Sequence, residues 1–162
     1  MQPKQISNSL LGAFLLVTFV GFADAAYLTA KHYLGEIPPC SIINGCETVL
    51  TSPYATIVGN IPIALVGAVY YLTLIVGGIA YLDTKNKTVL AATAYFTTTG
   101  FLTSAILVFL QIFVIKALCL YCLASAITST LLFVLGIIIL KKIKQNSTQS
   151  SADIRPQYEL MK

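Results

Sequence analysis

Four long apolar stretches, divided by two short polar breaks and one long one, set the pattern of this chain. They run from about Leu10 to Tyr33, Ile61 to Leu82, Val89 to Ile115 and Leu118 to Leu140. Each has roughly 20 or more mostly apolar residues, the length a helix needs to cross about 30 Å of hydrocarbon. Their apolar character is continuous rather than alternating, which favours helices over barrel strands. The pattern predicts an all-α integral membrane protein: a four-transmembrane-helix bundle with a long outer loop containing a short surface helix. Residues 1–144 make up this membrane domain. Residues 145–162, opening with Gln-Asn-Ser-Thr-Gln-Ser-Ser, read as a polar, disordered cytoplasmic tail. No internal repeat is visible.

Two connections are short, Asp83 to Thr88 and the few residues near Lys116, and short connections make antiparallel neighbours. The third, residues 34–60, is long enough to read as functional. Its middle, Glu47 to Val58, has helical potential and several apolar residues, which suits a short helix at the membrane surface.

Composition agrees with lipid as the solvent. Hydrophobic residues make up 57% of the 162 and charged residues only 10%, against about a quarter charged in soluble domains. The net charge of +4 is too small and scattered for nucleic acid. Placement says more than the total. With the amino terminus inside, Lys4, Lys85, Lys87, Lys141, Lys142, Lys144, Arg155 and Lys162 are cytoplasmic, and only Lys31 and Lys116 face outward. Both chain termini are then cytoplasmic. Lys4, the first apolar run and Ala23-Asp24-Ala25 also resemble a signal peptide. Continuation of the run through Tyr27-Leu28-Thr29 favours a span instead.

The four cysteines fall in two pairs, both on the outer side in this orientation, where disulfides persist. Cys119 and Cys122 open the fourth span at a spacing that shares a helix face. The positive end of a helix and a Cys-x-x-Cys spacing both favour a thiolate. The alternatives are two inert core cysteines or half a zinc site. Zinc is disfavoured because no second Cys-x-x-Cys exists and His32 is the only histidine. Cys40 and Cys46 enclose five residues including the turn signal Asn44-Gly45, behind a stiff Pro38-Pro39. Alone, they read equally as a structural staple. Two disulfides within reach of each other make an electron relay.

Cys40 and Cys46 are followed by Val49-Leu50-Thr51-Ser52-Pro53-Tyr54-Ala55, Gly59-Asn60-Ile61-Pro62, Gly67 and Tyr70. Tyr27-Leu28-Thr29 ends the first span and Cys119-x-x-Cys122 opens the fourth. This ordered set resembles the vitamin K epoxide reductase family over about Ser7 to Leu140. The resemblance implies a four-helix bundle that passes electrons from thiols to a quinone. It implies a bacterial-type inner or cytoplasmic membrane, and disulfide formation in exported proteins as the purpose. Cys119 and Cys122 match the active site facing the quinone, and Cys40 and Cys46 the pair that shuttles electrons from a partner. Ser52 matches a serine near the quinone pocket. The chain is too short for the thioredoxin-like domain fused in many relatives, so a separate thioredoxin-like or DsbA-like partner is expected. Animal members have a tyrosine four residues after the second active-site cysteine, where this chain has Ala126. That favours an ordinary quinone, such as ubiquinone or menaquinone, over vitamin K epoxide.

Other polar groups within the spans carry expectations of their own. Asp24 is costly inside a bilayer, and is read either at the redox centre or near the outer interface. Gln111, Thr97 to Thr99 and Ser104 read as interhelical packing groups. Tyr70, Tyr71 and Tyr95 read as core or interface aromatics. Tyr121, inside the Cys-x-x-Cys, is the best tyrosine candidate at the acceptor. His32 reads as an exposed interfacial residue. The expected mechanism runs from partner thiol to the Cys40–Cys46 disulfide, then to Cys119 as the outer, more reachable thiol, then through Cys122 to the quinone. The rival is a non-enzymatic four-helix transporter or assembly subunit with structural disulfides, for which Asp24 alone speaks weakly.

Overall fold

The computed structural model describes residues 7–39, 45–57 and 61–160, with side chains described as far as residue 145. Four helices are long and apolar enough to cross a membrane: Asn8–Leu34, Ile63–Thr84, Lys87–Ile115 and Leu120–Gln145. The shortest has 22 residues, about 33 Å at the helical rise of about 1.5 Å per residue. We label Asn8–Leu34 α1, the short helix Cys46–Leu50 α2, Ile63–Thr84 α3 and Lys87–Phe109 α4. The last helix, α5, runs Leu120–Leu160. It continues through the polar stretch that the sequence pattern left without regular structure. Extending an established helix avoids the nucleation cost that an isolated segment would face.

The bundle closes as a ring. α1 packs against α3 and α5, and α4 packs against the same two. Phe14, Leu74, Leu90, Leu132 and Ile139 fill the centre with no exposed surface. Tyr71 crosses it, and its hydroxyl meets the side-chain oxygens of Ser125, Thr128 and Ser129 on α5 at 2.8–3.2 Å. The outward faces are apolar as well, with Leu16, Phe19, Ile106 and Ile127 all more than half exposed. In water such a surface would aggregate. In lipid it meets a solvent of its own kind.

Two tight connections are capped from the sequence. Asn86 begins α4 by accepting the Thr88 N–H at 2.9 Å on its side-chain oxygen. At the other end, α4 passes into a π-helical turn, Leu110–Ile115, before Lys116 turns the chain in a left-handed conformation. The expected surface helix is present but split. α2 is followed by a 3-10 turn, Pro53–Ala55, and by a two-residue antiparallel ladder pairing Thr56–Ile57 with Ile61–Pro62. The ladder has no signal in the apolar pattern.

Candidate functional site

Cys119 sits immediately before α5 and starts it. Its carbonyl accepts the Leu123 N–H at 3.0 Å, and its Sγ accepts the Cys122 N–H at 3.5 Å. The sulfur thus takes the role that a serine or aspartate oxygen has at a helix start. Cys119 and Cys122 are both free thiols. A hydrogen bond from the Cys122 thiol, joined by the N–H groups of Cys122 and Tyr121, outweighs burial and holds the Cys119 thiol at about 7, below its ordinary 9.0. The preceding turn is fixed from α4. Gln111 is buried, and its side-chain oxygen accepts the Cys119 N–H at 2.9 Å, while its carbonyl accepts the Ala117 N–H at 3.1 Å. The π-helical turn is what aims Gln111 at this point, and such turns recur at functional sites.

Over this turn lies α2. Cys46, Val49 and Cys119 form one buried cluster, with Leu50, Ile115, Ala117, Tyr121 and Cys122 packed around it. The approach is close enough that a Cβ on Gly45 would overlap the Leu118 main chain. Cys46 is disulfide-bonded. With both inner thiols free, its partner lies outside the described residues, as does Cys40. Cys119 therefore does not behave as the outer, reachable thiol expected from the sequence. It has no exposed surface, because α2 covers it, and what reaches it is the loop itself.

Cys122 is half-buried and faces the other way, onto a cavity of about 380 Å³ between the four long helices. That volume lies in the usual range of small-molecule sites, about 300–1,000 Å³. The wall is mainly apolar, with Leu28, Val49, Leu50, Phe96 and Leu107 among its members. Asp24 and Ser52, both expected at the acceptor site, line it. The Ser52 hydroxyl donates to the Val49 carbonyl at 2.7 Å and so ties the end of α2. Tyr121, expected there too, does not line the cavity. Its ring packs tilted on Tyr27 at 5.6 Å, and its hydroxyl donates to the Pro39 carbonyl at 3.2 Å. His32 is half-buried and lines the cavity rather than lying exposed at the interface.

Sequence reasoning missed Gln111 and Tyr70 as site residues. Gln111 is an amide in an apolar run, eight residues before Cys119, and that isolation was the available signal. Tyr70 had none beyond its place in the motif. Among the described residues, the buried side-chain polar atoms without a hydrogen-bond partner are Asp24 Oδ2 and the Tyr70 hydroxyl, and both residues line this cavity. No group of three His, Cys, Asp or Glu that could hold a metal occurs among those residues.

A membrane bundle with a dithiol at a helix start, a disulfide-bonded loop cysteine packed on it and an apolar cavity behind it defines a class of thiol–disulfide protein. The sequence profile of the vitamin K epoxide reductase family matches residues 12–137, most of the chain, and the chain belongs to that family. Family membership makes it a membrane oxidoreductase of thiols and disulfides. No curated protein matches it.

Proposed function

We propose that the protein oxidises a thioredoxin-like or DsbA-like partner on the outer face of a bacterial-type membrane and passes the electrons to a membrane quinone, so supporting disulfide formation in exported proteins. The observation that carries this reading is the continuity of the sulfur path. Cys46 and Cys119 share one buried cluster, and Cys122 both packs on that cluster and lines the cavity.

A partner thiolate attacks the loop disulfide, Cys40–Cys46 in this reading, and the second partner thiol resolves the mixed disulfide. The partner leaves oxidised, and the loop holds two thiols. The Cys46 thiolate then attacks Cys119 of the inner disulfide and expels Cys122. Resolution by Cys40 restores the loop disulfide and leaves the inner pair reduced. A bonded Cys46 with free Cys119 and Cys122 corresponds to that stage. The lowered Cys119 thiol suits the resolving step, in which Cys119 leaves the mixed disulfide as a thiolate when Cys40 attacks Cys46. Re-forming the inner disulfide releases two electrons and two protons. A bound quinone supplies the oxidising capacity. The cavity fits such a group: it is apolar, Cys122 is on its wall, and two polar atoms there lack partners.

The test is quinone reduction by the purified protein in detergent, with either a small dithiol or a reduced thioredoxin-like protein as donor. Wild type should use both. Cys46→Ala should lose the protein donor and keep partial activity with the small dithiol. Cys122→Ala should lose both. Retained oxidation of the protein donor by Cys46→Ala would show that the loop pair is only a staple.

A further inference from the structure

We propose that Asp24 is the proton donor to the electron acceptor in the cavity, and that the Tyr70 hydroxyl is the acceptor's second polar contact. This rests on the quinone reading above and adds the residues that recognise and protonate it. Asp24 comes from α1 and Tyr70 from α3, on the same cavity wall as Cys122. Buried polar atoms are almost always paired, yet Asp24 Oδ2 and the Tyr70 hydroxyl are not. In a mainly apolar cavity, two unpaired atoms suit a ligand that is itself apolar with two oxygens.

The Tyr70 side chain is held in place. The Tyr70 ring packs edge-on against Tyr71 at 5.1 Å and tilted on Phe96 at 5.4 Å. Gly100 leaves the space for it on α4, where a Cβ would overlap the ring. The hydroxyl therefore has little freedom to seek another partner. Asp24 stands near enough to the inner pair for its charge to push the Cys119 thiol up. Among the described residues, the titratable groups near it or on the same cavity wall include Cys119, Cys122 and Tyr121 from the start of α5, Tyr70 and Tyr71 from α3, Tyr54 from the turn after α2, and His32 two turns along α1. Among the described residues, no lysine or arginine lines the cavity. A charge left on Asp24 would be unpaired, so a proton it gives must be replaced promptly, and the Cys122 thiol is the source at hand.

The step balances. As the Cys119–Cys122 bond forms, two electrons leave the pair for the acceptor. Asp24 gives its proton to one carbonyl oxygen and takes the Cys122 proton in return. Cys119 enters the step as the thiolate left by the loop exchange, the matching proton having gone to solvent from the loop thiol, and solvent returns one proton to the second oxygen. Tyr70 donates a hydrogen bond to that oxygen and keeps its proton. The acceptor ends with two hydroxyls.

The test uses the full chain in detergent with a short-chain benzoquinone. Binding to the dithiol-reduced protein is measured by equilibrium dialysis, turnover by absorbance, and the carboxyl by infrared difference spectra on quinone reduction. Asp24→Asn keeps a hydrogen-bond donor but no transferable proton. It should leave Kd within about threefold, since the hydrogen bond is kept, and lower kcat by about 100-fold or more, the usual worth of an acid catalyst. It should also remove a carboxylic C=O band present in wild type, and Asp24→Glu should restore part of kcat. Tyr70→Phe should weaken Kd by about tenfold. Unchanged kcat in Asp24→Asn, an infrared band that survives it, or an unchanged Kd in Tyr70→Phe would overturn the assignment. If wild type itself passes no electrons to quinone, the quinone reading falls and this one with it. If wild type does and Asp24→Asn matches it, only this one falls.

Discussion

The Cys119 sulfur starts a helix as well as carrying chemistry, and the two roles support each other. A thiolate is a better acceptor for the Cys122 N–H than a thiol is, and the aligned peptide dipoles of α5 favour the charge. The sign of the pH dependence follows. The reactive anion is half-formed near pH 7, so alkylation of Cys119 by a small reagent in the reduced protein should rise through that pH. Cys122→Ala removes the leading hydrogen bond, and the midpoint should move up toward 9.0. An unmoved midpoint, followed by mass spectrometry of the Cys119 peptide, would contradict this account. Gln111 makes a second case at this scale. Gln111→Leu leaves the buried Cys119 N–H without its partner, which costs about 1–3 kcal/mol. Chemical denaturation in detergent should show that loss, and the start of α5 should exchange its amides faster. The paired cysteines were legible because four sulfurs in an apolar chain have few roles. Gln111 was not, because the same amide in a straight α-helix would point elsewhere. Only the π-helical turn, a main-chain event with no sequence signature, brings it to Cys119.

Among the elements, the four spans were legible to within a few residues because continuous apolar runs of about 20 residues admit few alternatives. α2 was legible only as a tendency, and what it covers was not. Gly45 marks the contact on which the proposed relay depends, with the loop main chain against the Leu118 main chain. Main chain cannot rotate out of the way as a long side chain can. Gly45→Val should therefore lift α2 from the turn that holds Cys119. Oxidation of a thioredoxin-like partner should fall at least about tenfold, the rate equivalent of about 1.4 kcal/mol. A small dithiol that reaches the inner pair directly should lose less, and Cys119, covered in wild type, should alkylate faster. Equal losses with both donors would mean that the substitution damages the bundle rather than the bridge. The Cys46–Cys119 packing was invisible in spacing alone, since the two residues are distant in sequence and only the descent of α2 joins them.

At the scale of the whole molecule, the apolar outer surface fixes that the bundle lies in lipid, but either end could face the cytoplasm. The lysines break that symmetry. The connection between α3 and α4 carries Lys85 and Lys87, and Lys141, Lys142 and Lys144 follow the apolar part of α5. The opposite end has Lys31, already paired with Glu36, and Lys116. Basic residues in short loops are retained on the cytoplasmic side. This asymmetry predicts that the loop with Cys46 and the turn with Cys119 are external, where an oxidised loop is chemically sustainable. Single introduced cysteines at exposed positions test this in intact cells. Ile37→Cys, at the loop end, should react with a membrane-impermeant maleimide without permeabilisation. Asp83→Cys, at the far end of α3, should react only after it. Both positions are exposed in the fold, so a difference between them reports sidedness rather than burial. The opposite pattern would place the loop in the reducing cytoplasm. The proposed flow of electrons from exported proteins would then have no donor on the correct side.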